Sequence, residues 1–264
     1  MFDAMLHIPL RFYTALEKQD RFKSYSTVKR FNQYTDTTHL PPFQIKVALN
    51  TSSCTVSLVT ASTDVSTGNI TPTIRYENYT AFSQLIHEGA SLSTMPGGEY
   101  YLDITAGSDH FYSEVFIIGD VTDKTILQYY NTYDLGGINY LNTGHAQYKS
   151  KIVLDATLAK PEYIIEEEAV EDGDGNQMIT FQRRVKLFKM WFYAPEYMVD
   201  AISLIGLHDF CTLTTHYGSA DQESGSIYDF AMTSEWNESK GLAKVTCEFR
   251  DSPIIKTTCS NPIV

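Results

Sequence analysis

One stretch, Lys160 to Asp209, limits the possible architecture more than any other part of the chain: KPEYIIEEEAVEDGDGNQMITFQRRVKLFKMWFYAPEYMVDAISLIGLHD. It reads as an extended run, a Gly/Asp turn, a second long extended run and one short helix. From Met178 to Tyr193, the apolar residues Ile179, Phe181, Val185, Phe188, Met190 and Phe192 stand among polar and basic ones. Roughly alternating apolar character of this kind marks a half-buried strand. Asp172-Gly-Asp-Gly-Asn176 supplies residues that tolerate positive φ, as a hairpin loop requires. Pro195 then opens a segment where Met198, Val199, Ala201, Ile202 and Ile205 recur at three- and four-residue spacing. Proline in a first helical turn forfeits no hydrogen bond, and the neighbouring acid suits the positive end of the helix dipole. The expected element is a long hairpin feeding a helix near 195–206 that covers one end of a sheet. No catalytic residue is needed to explain it.

The remaining chain divides around this element. Residues 1–40 read as an arm: Leu6, Ile8, Leu10, Phe12 and Phe22 are apolar, but no sustained period emerges. Such a segment gains order by lying on the chain's own body or on a neighbour. Pro41-Pro42 marks a boundary. Between 41 and 120, FQIKVAL, CTVSLVT, ITPTIRYENY and FSQLIH precede the hairpin EYYLDITAGSDHFYSEVFIIGD, with turn residues between them. Short strands at roughly ten-residue spacing point to a small antiparallel β-sandwich. From 121 to 264, ILQYYN, YKSKIVLDATL, the central hairpin and helix, DFCTLTTHYG, IYDFAMTSEW and GLAKVTCEFRDS make a second β-rich domain, barrel- or sandwich-like. SADQESGS reads as a polar loop, and Thr257 to Val264 as frayed. The expected fold class is mainly β, with an N-terminal arm and one short helix.

At 264 residues the chain can bury a sizeable core. A formal net charge of −12 argues against general nucleic-acid binding, which needs a basic face, and against docking on an anionic membrane. No apolar run is long enough to span a bilayer, and MFDAMLHIPLRFY lacks the basic leader and cleavage site of a secretory signal. Cys54, Cys211, Cys247 and Cys259 show no paired spacing, so reduced and mostly buried thiols are expected. The Asn-x-Ser/Thr triplets at Asn50, Asn69, Asn78 and Asn237 are then chance matches. Aromatic usage is unusual, with 18 Tyr and 14 Phe against 2 Trp. Aromatics suit pleated surfaces, and they are also enriched at protein–protein interfaces.

The chemistry-bearing patterns are weak. Asp172-x-Asp174-x-Asn176 opens like a calcium loop, but Gln177 and Arg183 stand where that loop needs glycine and an acid. His208, Cys211 and His216 have the ligand types for zinc without its spacing, and the helix dipole explains His208. The other histidines, His7, His39, His87, His110 and His145, form no metal motif. No nucleophile elbow or catalytic-cysteine signature is present. Ser113 and Glu114 are adjacent on a strand and should face opposite ways. Gly97-Gly98 and Gly136-Gly137 lack the Lys/Ser and helix of a phosphate loop. The reading is of a protein that is not an enzyme, with no catalytic, cofactor or metal residues.

Six segments together carry a family resemblance: PLRFY, LPPFQI, GGEYYLDIT with FYSEVF, LDATLAKPEYIIEEE, APEYMVDAISLIGLHD and GLAKVTCEF. The chain resembles, over most of its length, an uncharacterised family of virion proteins. That family is encoded among the tail and baseplate genes of tailed phages and prophages of Bacteroides and related bacteria, including crAss-like phages. The resemblance implies a β-rich structural subunit of a ring or hub in the tail, baseplate or neck, assembled in the host cytoplasm and located in the virion. Its implied partners are copies of itself and other virion proteins. On this reading the 1–40 arm and the exposed edges of the β units pack on neighbouring copies, by strand addition or arm exchange.

Two alternatives belong beside it. One is a carbohydrate- or cell-surface-binding sandwich in which Tyr100, Tyr101, Phe111 and Tyr112 form an exposed stacking platform. The other is a hydrolase that uses an unrecognised carboxylate pair in the 121–264 unit; acids such as Glu114, Asp134, Glu166, Glu196 and Asp209 are plentiful along the chain.

Overall fold

The computed structural model describes residues 8–14, 31, 33–70, 74–89, 94–140, 147–171, 173–215, 223–237, 241–251 and 254–257. Among them the chain is built mostly of strands, with a single short α-helix and several sheets. The first ten strands are β1 (Phe12–Thr14), β2 (Gln33–Thr35), β3 (Phe43–Val47), β4 (Thr55–Thr60), β5 (Val65–Ile70), β6 (Ile74–Asn78), β7 (Ser83–His87), β8 (Gly98–Ala106), β9 (Asp109–Ser113) and β10 (Phe116–Ile118).

Strand β8 organises this first unit. On one side it pairs with β4, which carries β5 at the edge. On the other side β9 and β10 lie end to end along it, interrupted at Glu114 and Val115. The interruption leaves a ladder position to fill, and Ser113 fills it. Its hydroxyl accepts the Leu102 N–H at 2.8 Å and donates to the Glu114 carbonyl at 2.7 Å. A second sheet, β3-β7-β6, faces the first. Alternate residues of β8 (Tyr100, Leu102, Ile104, Ala106) meet Phe43, Ile45, Val47 and Leu85 in one core. The pairing is antiparallel except for β2, which runs parallel to β10.

The second unit holds β11 (Thr125–Tyr130), β12 (Ser150–Leu154), β13 (Thr157–Leu158), β14 (Glu162–Glu171), β15 (Gln177–Ala194), α1 (Glu196–Ser203), β16 (Phe210–Thr215), β17 (Glu223–Ser226), β18 (Tyr228–Asn237), β19 (Leu242–Arg250) and β20 (Ile254–Thr257). One sheet runs β12-β11-β16-β17, and the other is built on β15, β19 and β18. Leu127, Tyr129, Ile152 and Leu213 of the first meet Met190, Phe192, Val245, Cys247 and Phe249 of the second. Helix α1 adds Met198, Val199 and Ile202 to that core, as its three- and four-residue spacing requires. Pro195 is the residue before the first helical turn, and its carbonyl accepts the N–H groups of Met198 and Val199 at 3.0 Å. A turn of 3₁₀ helix, Ile205–Leu207, follows.

The N-terminal residues lie along the seam between the two units. Strand β1 pairs with β9, and Leu10 and Tyr13 are buried. Ile8 joins Ile86, Ile138, Tyr140 and Tyr148 in a third cluster drawn from both halves of the chain. Phe31 packs on the second core, while Tyr34 of β2 donates to Asp155 at 2.8 Å. Further along the seam, Gln44 locks the loop at 135–140 onto the small sheet. Its Nε2 donates to the Asn139 carbonyl at 2.8 Å, and its Oε1 accepts the Asn139 N–H at 2.9 Å. Gln84 Nε2 donates to the same Oε1 at 2.6 Å. Strand β7 is therefore buried from end to end.

Candidate interaction surface

Strand β15 is eighteen residues long, and its two halves do different work. From Leu187 to Ala194 it pairs with β19 inside the body. From Gln177 to Lys186 it pairs with β14 on one side, and from Phe181 to Arg184 with β20 on the other. The distal half thus forms a ribbon of up to three strands that extends about 33 Å at 3.3 Å per residue. No residue of β14 is buried, and nothing from Glu162 to Arg184 belongs to any of the three cores.

The reason is written in the parity of the apolar residues. Phe188, Met190 and Phe192 share one face of β15, while Phe181 and Val185 share the other; the bulge opposite Glu168/Ala169 returns Ile179, the partner of Ala169, to the first face. The apolar side switches between Val185 and Phe188, so the distal half cannot present its apolar face to the core that the proximal half serves. The ribbon consequently carries exposed apolar side chains on both faces. Tyr163, Ile165, Val170, Met178, Ile179 and Ile255 are each between 44% and 61% exposed. The sequence expectation of a half-buried strand holds for the proximal half; beyond Val185, which is itself buried, the distal half is exposed or only half-buried.

Charge on the ribbon is uneven across its width. Strand β14 carries Glu162, Glu166, Glu167, Glu168 and Glu171, all exposed. Strand β15 answers with Arg183, Arg184, Lys186 and Lys189. Arg183 lies 3.7 Å from Glu166, and Lys189 lies 3.2 Å from Glu162 and 3.6 Å from Glu248. Hydrogen bonding to Glu162 raises the Lys189 pKa. The Arg184 guanidinium stacks over Tyr163 at 4.8 Å. Exposed, solvent-screened pairs of this kind contribute little to folding, so they set charge pattern more than stability. Gly175, at φ 85°, makes the tip, and a bulge at Glu168/Ala169 twists the hairpin.

The chemistry-bearing candidates are dispersed. Asp174 and Asn176 lie at the ribbon tip, while Asp172 is outside the described residues. His216 is outside them too, and among the described residues no group of three or more His, Cys, Asp and Glu could hold a metal. The named carboxylates have separate local roles. Glu114 accepts the hydroxyls of Tyr13, at 3.2 Å, and Tyr197, tying the first unit to α1. Asp134 accepts the Tyr140 N–H at 3.2 Å, Asp209 accepts the Thr132 N–H at 3.0 Å, and Glu196 opens the helix. Of the expected stacking platform, Tyr100 and Tyr101 are buried, and Phe111 and Tyr112 are half-buried. Adjacent strand residues face opposite ways, so burial of both tyrosines means that β8 is covered on both sides. The platform therefore does not exist in that form.

One polar cluster resembles a relay. His208 Nδ1 donates to the Leu204 carbonyl at 2.7 Å, which leaves Nε2 to accept the Tyr140 hydroxyl at 2.9 Å. Ser150 Oγ lies 3.2 Å from the same hydroxyl. Burial pushes the Tyr140 and Tyr148 phenols well above their usual range and holds His208 below its own. Ser150 is fully buried, so no substrate reaches its hydroxyl. His208, Tyr140 and Ser150 form an internal hydrogen-bonded trio of the kind that fixes packing, while among the described residues the buried hydroxyls of Tyr129 and Tyr148 have no hydrogen-bond partner.

No protein-family model matches the chain, and no curated protein does. Among solved structures, the complex of Dpr2 Ig1-Ig2 with DIP-Theta Ig1-Ig3 aligns over 93% of this chain and 90% of that one. The identity is 10% and the TM-score 0.15, too slight a likeness to bear on fold or function. Among the described residues, no helix is long and apolar enough to cross a membrane.

Proposed function

We propose that this protein is a structural subunit of a tailed-bacteriophage virion, a ring or hub component of the tail, baseplate or neck. It acts by packing against copies of itself and against companion virion proteins, and it catalyses nothing. The observation that carries this reading is the ribbon formed by β14, distal β15 and β20. Six large apolar side chains on two faces are left to solvent there, where an isolated chain would gain by covering them. The resemblance of the six sequence segments to tail and baseplate proteins supplies the setting.

The test is the mass in solution. Light scattering on the full chain should give a multiple of the 29.9 kDa protomer. A variant in which Asn-Gly joins Ile165 directly to Arg184, a cross-strand pair, removes the distal ribbon with a two-residue turn. It should stay folded and become monomeric. A full chain that is monomeric at its highest soluble concentration would sink the proposal.

A further inference from the structure

The ribbon has two edges, and their chemistry differs. Among the described residues, β14 and β20 each pair only with β15, so each presents an unpaired row of backbone N–H and C=O groups. Open edges of this kind are templates for strand addition. Both strands run antiparallel to β15 and hence parallel to one another. They also lie level. Ile165 and Ile254 flank Arg184, while Glu168 and Thr257 flank Phe181. A second ribbon placed alongside without axial stagger would thus set its β20 against Ile165–Glu168.

That meeting is selective in charge. Ile165–Glu168 contains three successive glutamates, Glu166, Glu167 and Glu168. The sequence of β20, Ile-Ile-Lys-Thr, contains no acid, and the strand behind it carries Arg183 and Arg184. Two β14 edges brought together would oppose glutamate to glutamate, and like charges directly across a sheet are destabilising. The acidic edge rejects its own kind and suits the other edge of the same ribbon. Ile165 and Ile255, both more than half exposed, would gain cover at such a junction.

We propose that the β14 edge of one copy takes the β20 edge of a second copy, so that the ribbons of successive copies form one continuous sheet. The junction is parallel and heterologous, which lets contacts propagate and close into a ring. This inference rests on the proposed self-packing role and assigns it to a particular pair of edges.

Glu168 and Ile255 lie on the same face of the ribbon, since their partners Phe181 and Arg183 are two apart on β15. Single variants Glu168→Cys and Ile255→Cys of the full chain, each also carrying Cys259→Ser because Cys259 follows two residues after β20, should remain uncoupled when treated with a short bismaleimide. Mixed, they should yield a covalent dimer; the double variant should yield a ladder, and the parent chain no ladder. A Glu168→Cys dimer formed alone would overturn the proposal by showing acidic edges meeting. Absence of the mixed dimer, in samples that light scattering shows to be oligomeric, would overturn the edge assignment while leaving self-packing intact. A monomeric parent would overturn the proposed function itself. Glu166→Lys with Glu168→Lys provides a second readout: the fold is retained and assembly is lost.

Discussion

A methyl group on Gly206 would sit 2.8 Å from the carbonyl oxygen of Phe230. That contact is to backbone and cannot swing aside, so Gly206→Ala should cost about 1–3 kcal/mol through overpacking. Urea unfolding measures it, with Gly119→Ala as the control, because nothing lies within 4 Å of a methyl group there. The control should fall within about 0.5 kcal/mol of the parent. His208 gives a pH signature. Burial lowers its pKa below the ordinary 6.5, so between those two values the unfolded chain binds the proton and the folded one does not. The stability it contributes is complete above about pH 6.5 and declines as pH falls below that. Urea midpoints between pH 8 and pH 5.5 should show this decline, and His208→Asn should flatten it. Asp36 works in the opposite sense at lower pH. Partial burial opposes its charge, yet hydrogen bonds from Thr38 and His39 bring its pKa down to about 2. Its contribution is present above the unfolded value and is lost as pH falls toward 2.

Elements with similar apolar content differ here in what their apolar residues touch. Helix α1 and strand β14 each carry isoleucines, but Ile202 is fully buried and Ile165 is 61% exposed. Ile202→Ala should therefore cost about 2–5 kcal/mol in unfolding free energy, the range for a deleted core side chain. Ile165→Thr should leave the urea midpoint within about 0.5 kcal/mol of the parent and reduce the oligomeric mass instead. Equal stability losses at the two sites would mean that the ribbon belongs to the core after all. The strand periods of β3, β4, β6 to β9, β11, β12, β15, β18 and β19 were legible because alternation is local. Strands β1, β2, β5, β17 and β20 were not. They are mostly three or four residues long, and Glu223–Ser226 falls inside a segment that reads as a polar loop. Such pieces become strands only because a longer neighbour offers them a ladder.

Across the whole molecule, the two main cores are joined by the segment that reads as an arm. Leu10, Tyr13, Gln33, Thr35 and Leu40 are buried, and Ile8 belongs to the cluster between the units. Deleting residues 1–35 strips two edge strands and the buried Leu10 and Tyr13. The expected outcome is loss of cooperative unfolding or insolubility, read by circular dichroism and thermal melting. A folded, soluble product would show that the seam is dispensable. The ribbon stands at the other extreme: it can be removed from the body because no core includes it.

The sequence by itself determined the β-rich class, the short helix after Pro195, the long hairpin and the absence of any recognisable catalytic motif. Each of these depends on residues a few positions apart, where spacing and turn chemistry act directly. Only the tertiary structure decided which faces are covered. Tyr100 and Tyr101 are buried together because layers close on both sides of β8, and Ile165 and Val170 are exposed because none closes on β14. Covering a face takes a partner far away in the chain, and alternation says that a strand has an apolar side without saying what will meet it.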